Sequence, residues 1–209
     1  MNRPAALLAL IAALYGVAPW SDPAVAQSPG APERGHALFV EKQCARCHLP
    51  QGQQGPGPAL ETLRRPQGAL ELAGRLWNHA PVMFALLTRE GIQWPPLNAS
   101  EMGDLMAYLR ADPARDPAPA LFQGQVTLLR KGCLKCHSLR GEGGRIGPEL
   151  AARRFDYDSP SSWAATMWVH TPRMAKAAAE MGILYPRFSG HEMVNLVGFL
   201  RSAAGAPPR

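Results

Sequence analysis

The sequence predicts an all-α protein made of two tandem units, and three observations predict it. Its second half repeats the first in order, at an offset near 90 residues. Apolar residues in each half recur at helical spacing, and neither half holds an alternating run long enough for a convincing strand. Cys44-Ala45-Arg46-Cys47-His48 returns as Cys133-Leu134-Lys135-Cys136-His137, 89 residues on. Gly57-Pro58-Ala59-Leu60 returns as Gly147-Pro148-Glu149-Leu150, 90 on, and Trp77-Asn78-His79-Ala80-Pro81-Val82-Met83 as Trp168-Val169-His170-Thr171-Pro172-Arg173-Met174, 91 on. The last match runs from Glu101-Met102 through Leu105, Tyr108, Leu109 and Arg110, against Glu192-Met193 through Leu196, Phe199, Leu200 and Arg201. Four matches in one order, drifting by single residues, define a duplication.

Residues 1–26 read as a signal peptide. Arg3 supplies a positive start, Ala5 to Ala18 an apolar core, and Ala24-Val25-Ala26 the small-x-small pattern at which cleavage falls after Ala26. An uncleaved anchor is the alternative, but the run is shorter than the ~20 residues that span a bilayer. No later segment spans one, so the mature chain, from Gln27, is expected to be exported and without a membrane span.

The first unit, residues 33–111, opens with a helix from about Glu33 into the cysteine cluster. It closes with a helix whose apolar face carries Met102, Leu105, Met106 and Leu109, and Asn98 or Ser100 can cap that helix. Residues 112–119 form the linker: three prolines between Ala111 and Pro119 forbid a continuous helix and predict a stiff extended connector. The second unit, residues 120–203, begins with a helix over Leu121 to Lys131, and Ser189 can cap its last one. Gln27 to Pro32 and the tail after Ala203 are expected to be disordered ends. Prolines make up about 10% of the chain against a usual ~5%, consistent with linkers and tight turns.

Hydrophobic content of 46% with 18% charge excludes a wholly disordered chain. Four cysteines in two short clusters are too few for a disulfide scaffold. Three chemistries use C-x-x-C. A redox dithiol wants a βαβ setting, and no strands are expected. A zinc site needs four ligands, and C-x-x-C-H offers three adjacent ones without partner cysteines elsewhere. The third is covalent haem attachment: two thiols add across the porphyrin vinyl groups, and the following histidine faces the iron. Its occurrence at equivalent repeat positions assigns two covalently bound haem c groups, held by Cys44 and Cys47 and by Cys133 and Cys136. His48 and His137 are then the proximal ligands.

On these residues each half resembles a class I c-type cytochrome domain, and the whole resembles a di-haem cytochrome c of bacterial periplasms. The likeness spans about residues 33–110 and 120–202. It implies an N-terminal helix that crosses a C-terminal one, a small glycine meeting an aromatic. Gly35, Phe39 and Tyr108 fit those places in the first half, and Gly124, Leu128 and Phe199 in the second. It also implies that the carbonyls of Pro58 and Pro148 accept hydrogen bonds from the haem histidines, fixing each ring; simple turns after glycine are the alternative. The family's distal methionine, placed before a proline ahead of the last helix, is missing: Trp94 and Tyr185 stand there. Its replacement must be a duplicated Met or His. The Trp-x-His-x-Pro-x-Met repeat offers both, spaced i, i+4 on one helix face. Met83 and Met174 are the preferred distal ligands, His79 and His170 the alternative, and an open distal site the third case. Met102 and Met193 are expected in the core, Trp77 and Trp168 against the haem edges, and His36 and His191 at the surface.

The formal charge of +6 is lopsided. Gln27 to Ala114 holds eight basic and eight acidic residues, whereas Arg115 to Arg209 holds thirteen and seven. Arg130, Lys131 and Lys135 flank the second haem motif, so a periplasmic redox protein with an acidic docking face is the expected partner of that unit, unless these are ordinary solvated helix faces. Nucleic acid is not expected for an exported chain whose aromatics belong to haem pockets. The resemblance implies an electron carrier rather than an enzyme. The alternative is a haem enzyme, or the cytochrome subunit of a dehydrogenase or reductase, with one displaceable distal ligand.

Overall fold

The computed structural model describes residues 30–60 and 65–205; the expected signal peptide lies outside them. Helix α1 (Pro32–Glu41) leads into a 3-10 turn over Cys44–Arg46, followed by the long α2 (Ala69–Arg89) and α3 (Ala99–Tyr108). The order then repeats: α4 (Leu121–Arg130), a 3-10 turn over Cys133–Lys135, the long α5 (Pro160–Glu180) and α6 (Glu192–Gly205). Among the described residues, strand structure is confined to two-residue pairs. β1 (Gln67–Gly68) runs parallel to β2 (Ala111–Asp112), and β3 (Ser138–Leu139) is antiparallel to β4 (Glu142–Gly143).

In each half the first helix crosses the last: α1 packs on α3, and α4 on α6. The crossings are close because a glycine sits at each. A Cβ on Gly35 would fall on the Asp104 carbonyl and lie 2.7 Å from the Tyr108 Cβ; one on Gly124 would fall on the Asn195 carbonyl and lie 2.6 Å from the Phe199 Cβ. The same places are stapled by hydrogen bonds. Ala31 N donates to Asp104 Oδ1 at 2.7 Å and Ala120 N to Asn195 Oδ1 at 2.9 Å. A second repeated bond joins Lys42 to Glu101 at 2.9 Å and Lys131 to Glu192 at 2.8 Å. Met102 and Met193 are buried in the core, as expected, and Leu128 and Leu200 are buried in the same core. Full burial of side chains this size contributes about 1.5–3 kcal/mol each.

The residue before each cysteine turn adopts a left-handed conformation, with φ of 67° at Gln43 and 72° at Gly132. Glycine takes that backbone without a Cβ penalty, whereas glutamine bears about 1 kcal/mol of strain.

Two expectations are corrected and one open choice is resolved. The linker is not simply extended: Ala111–Asp112 pairs with β1, Pro113–Arg115 forms a 3-10 turn, and Asp116 turns back onto α2. There its carboxylate accepts Leu70 N at 2.9 Å and Glu71 N at 3.3 Å, filling donors that a helix start leaves unpaired. The expected loose ends are ordered further than read, since Pro32 already begins α1 and α6 continues to Gly205. Finally, Asn98 rather than Ser100 caps α3: Glu101 N donates to its side chain and Asn98 N donates to the Glu101 carboxylate, both at 2.9 Å. Ser189 serves α6 through the Glu192 carboxylate, to which its N–H donates at 2.8 Å.

Candidate functional site

An open-sided cavity lies beside the cysteine motif of each half. The first, about 290 Å³, is lined by Cys44, Cys47, His48 and Pro58 on one side and by Leu72, His79 and Met83 of α2 on the other. The second, about 320 Å³, has Cys133, Cys136, His137 and Pro148 facing Met167, His170 and Met174 of α5. Every residue assigned to a haem from the sequence therefore stands on a cavity wall, including both candidate distal ligands of each half.

Backbone geometry fixes the histidines. His48 Nδ1 lies 2.9 Å from the Pro58 carbonyl and His137 Nδ1 3.0 Å from that of Pro148. A carbonyl can only accept, so Nδ1 carries the hydrogen in both rings and Nε2 keeps its lone pair for a metal. Gly57 and Gly147 let the loop lie flat on the imidazole, because a Cβ on Gly57 would sit 2.8 Å from the ring and one on Gly147 closer still. Burial pushes the thiols of Cys44 and Cys133 up to about 11. Paired thiols, an imidazole with a free Nε2 and a largely apolar wall fit a covalently held haem.

The distal side is carried by α2 and α5, which run on through an internal proline, Pro81 and Pro172. Met83 and Met174 are half-buried and packed against the core. His79 is exposed, with Nδ1 donating to the Arg75 carbonyl at 2.7 Å; His170 is half-buried and donates to that of Thr166 at 2.8 Å. His36 and His191 are exposed, as expected, although the His36 ring lies 5.2 Å from that of Tyr108.

Two readings change. Trp77 and Trp168 do line the cavities, but each lines that of the other half: Trp168 belongs to the first cavity and Trp77 to the second. Lys131 is not a free docking cation, because it is tied to Glu192 and donates to the Arg187 carbonyl at 2.6 Å. Arg130 and Lys135 remain exposed. Among residues that sequence reasoning missed, Arg75 stands on the first cavity, paired there with Glu71 and Gln67, and Arg153 and Arg173 stand on the second, Arg153 paired with Asp156. Glu149 was also missed. Burial alone would raise its carboxyl, but hydrogen bonds from Ser138 and from the backbone of Ala151, Gly141 and Arg140 outweigh that and bring it to about 2. It pins the loop that presents the Pro148 carbonyl; the first half has Ala59 there.

Residues 32–111 match the family model for Cytochrome c. This places a c-type cytochrome domain in the first half of the chain, and with it a covalently bound haem c. No curated protein and no solved structure gives a significant match to the chain. No helix among the described residues is long and apolar enough to cross a membrane.

Proposed function

We propose that the chain is a periplasmic di-haem cytochrome c, a carrier of single electrons between a donor and an acceptor, with both irons six-coordinate. The observation that carries this reading is the repetition of the whole site: the same histidine–proline bond, ring-facing glycine and long distal helix occur around both cavities. A haem bound in each cavity supplies a one-electron iron couple. The chain's own part is to hold and tune it. Cys44 and Cys47, with Cys133 and Cys136, anchor the group, and Pro58 and Pro148 aim the imidazoles of His48 and His137. Apolar walls exclude water, which disfavours the more highly charged oxidised state.

Met83 and Met174 are the distal ligands in this reading, since both line the cavities and pack against the apolar core. One observation favours a second reading: Nδ1 of His79 and of His170 is anchored on a backbone carbonyl, as in many metal-binding histidines, leaving Nε2 free. Arg130 and Lys135 supply the exposed positive charge near the second motif with which a partner's acidic face would dock. Potentiometric titration of the matured protein tests the carrier function. It is expected to take up two electrons per chain, with a fully low-spin oxidised spectrum. Uptake of one electron, or a high-spin fraction in the unmutated protein, would overturn it in favour of a single centre or of an enzyme with an open iron.

A further inference from the structure

Each long helix serves two cavities. The face of α2 that carries Leu76, His79 and Met83 lines the first, whereas Trp77 reaches the second. α5 reverses this: Met167, His170 and Met174 line the second, and Trp168 reaches the first. α2 and α5 pack together, which is what brings each indole across.

The indoles are held by polar contacts as well as packing. Trp168 Nε1 donates to the Pro95 carbonyl at 2.7 Å, and Trp77 Nε1 donates to the Pro186 carbonyl at 2.6 Å. Each acceptor lies in the other half's distal loop, directly after the residue that stands where a methionine was missed. Trp168 stacks on Trp94 at 4.1 Å, and Trp77 on Tyr185 at 4.7 Å. The proline inside α5 takes part too. Pro172 has no N–H, so the Trp168 carbonyl loses its partner one turn on and accepts instead from Trp94 Nε1 at 3.0 Å. Around the second loop, Asn78 both donates to the Phe188 carbonyl at 2.7 Å and accepts its N–H at 2.8 Å. Both indoles are buried, Trp77 to 4% exposure and Trp168 to 7%.

We infer that Trp168 and Trp77 are positioning residues acting across the two halves: Trp168 seals the first cavity and fixes its distal loop, and Trp77 does the same for the second. The surroundings of each centre are thus set by the other half of the chain, and neither half alone builds a complete distal wall. This rests on the two-haem reading above. An indole removed from a cavity wall admits water, and water stabilises the more highly charged oxidised state, so the potential of the centre across the interface falls.

The test uses the full matured chain and Trp168→Ala, Trp168→Phe, Trp77→Ala and Trp77→Phe. Haem content is read first by intact mass. The two centres are then followed separately by proton NMR during a redox titration, their signals assigned by contacts to Phe39 for the first cavity and Tyr157 for the second. Trp168→Ala is expected to lower the potential of the first centre and leave the second unchanged; Trp77→Ala should do the converse. The phenylalanine variants, which keep an apolar wall but lose the N–H bond, should shift the same centres by less, and they decide the matter should an alanine variant fail to mature. A merely structural loss of the interface moves both centres alike. That result, a shift confined to the centre of the substituted half, or no shift, overturns the inference. An unmutated chain with one haem contradicts the two-haem reading instead, and Trp168→Ala then decides the inference on the first centre alone.

Discussion

Under the proposed ligation, Met83→Ala is expected to convert the first centre of the oxidised protein to a high-spin, open form and leave the second low-spin, and Met174→Ala to do the reverse. Each substitution removes a half-buried thioether that packs against the core on the distal side of one cavity. Alanine cannot reach a metal, and at a half-buried position the lost packing costs about 1–2 kcal/mol, below the ~2–5 kcal/mol of fully buried Met→Ala changes. The domains should therefore stay folded while half of the haem changes spin state and takes up added imidazole. His79→Ala and His170→Ala are the controls, expected to leave both centres low-spin. Should the methionine variants stay low-spin and the histidine variants open the iron, the carbonyl-anchored imidazoles are the ligands.

Gly124→Ala and Gly35→Ala should each destabilise their half by about 3 kcal/mol, the upper part of the usual range for overpacking. The sign is unusual. Alanine in a helix is ordinarily better than glycine by ~0.5–1 kcal/mol, because it restricts the unfolded chain. Here the new methyl would occupy the space of the Asn195 or Asp104 carbonyl oxygen and press on the Cβ of Phe199 or Tyr108. Backbone cannot yield as a flexible side chain does, so α4 must lift from α6, or α1 from α3. Taking ~4–8 °C per kcal/mol for a domain of this size, the melting temperature should fall by about 12–24 °C. A calorimetric scan showing unchanged or raised stability would refute the close-crossing description.

Much of this was legible in the residues because it is written locally or repeated. The cysteine–histidine motifs, the Gly-Pro stretches and the capping residues act over a few positions, and duplication doubled each of them. The crossing glycines were legible only through the resemblance, but their partners Tyr108 and Phe199 proved correct. What stayed hidden depends on long-range pairing. The repetition of Trp77 and Trp168 was visible, yet an equal repeat cannot show that each indole is exchanged between halves. Lys131 looked like one of three cations around a motif, and only the fold reveals Glu192, 61 positions on, as its partner. Asp116 read as part of a Pro-rich connector, whereas its carboxylate begins α2 from 46 residues away. Trp94 and Tyr185, read as standing where the family's distal methionine would be, are the residues on which the exchanged indoles stack.

The di-haem reading requires two covalent attachments, one per half, and intact mass of the periplasm-matured protein measures them most directly. The predicted result is two haem additions on the unmutated chain, with one lost in Cys44→Ser/Cys47→Ser and the other in Cys133→Ser/Cys136→Ser. A single addition, lost only with the first pair, would contradict it and leave the second half a haem-free copy of the first.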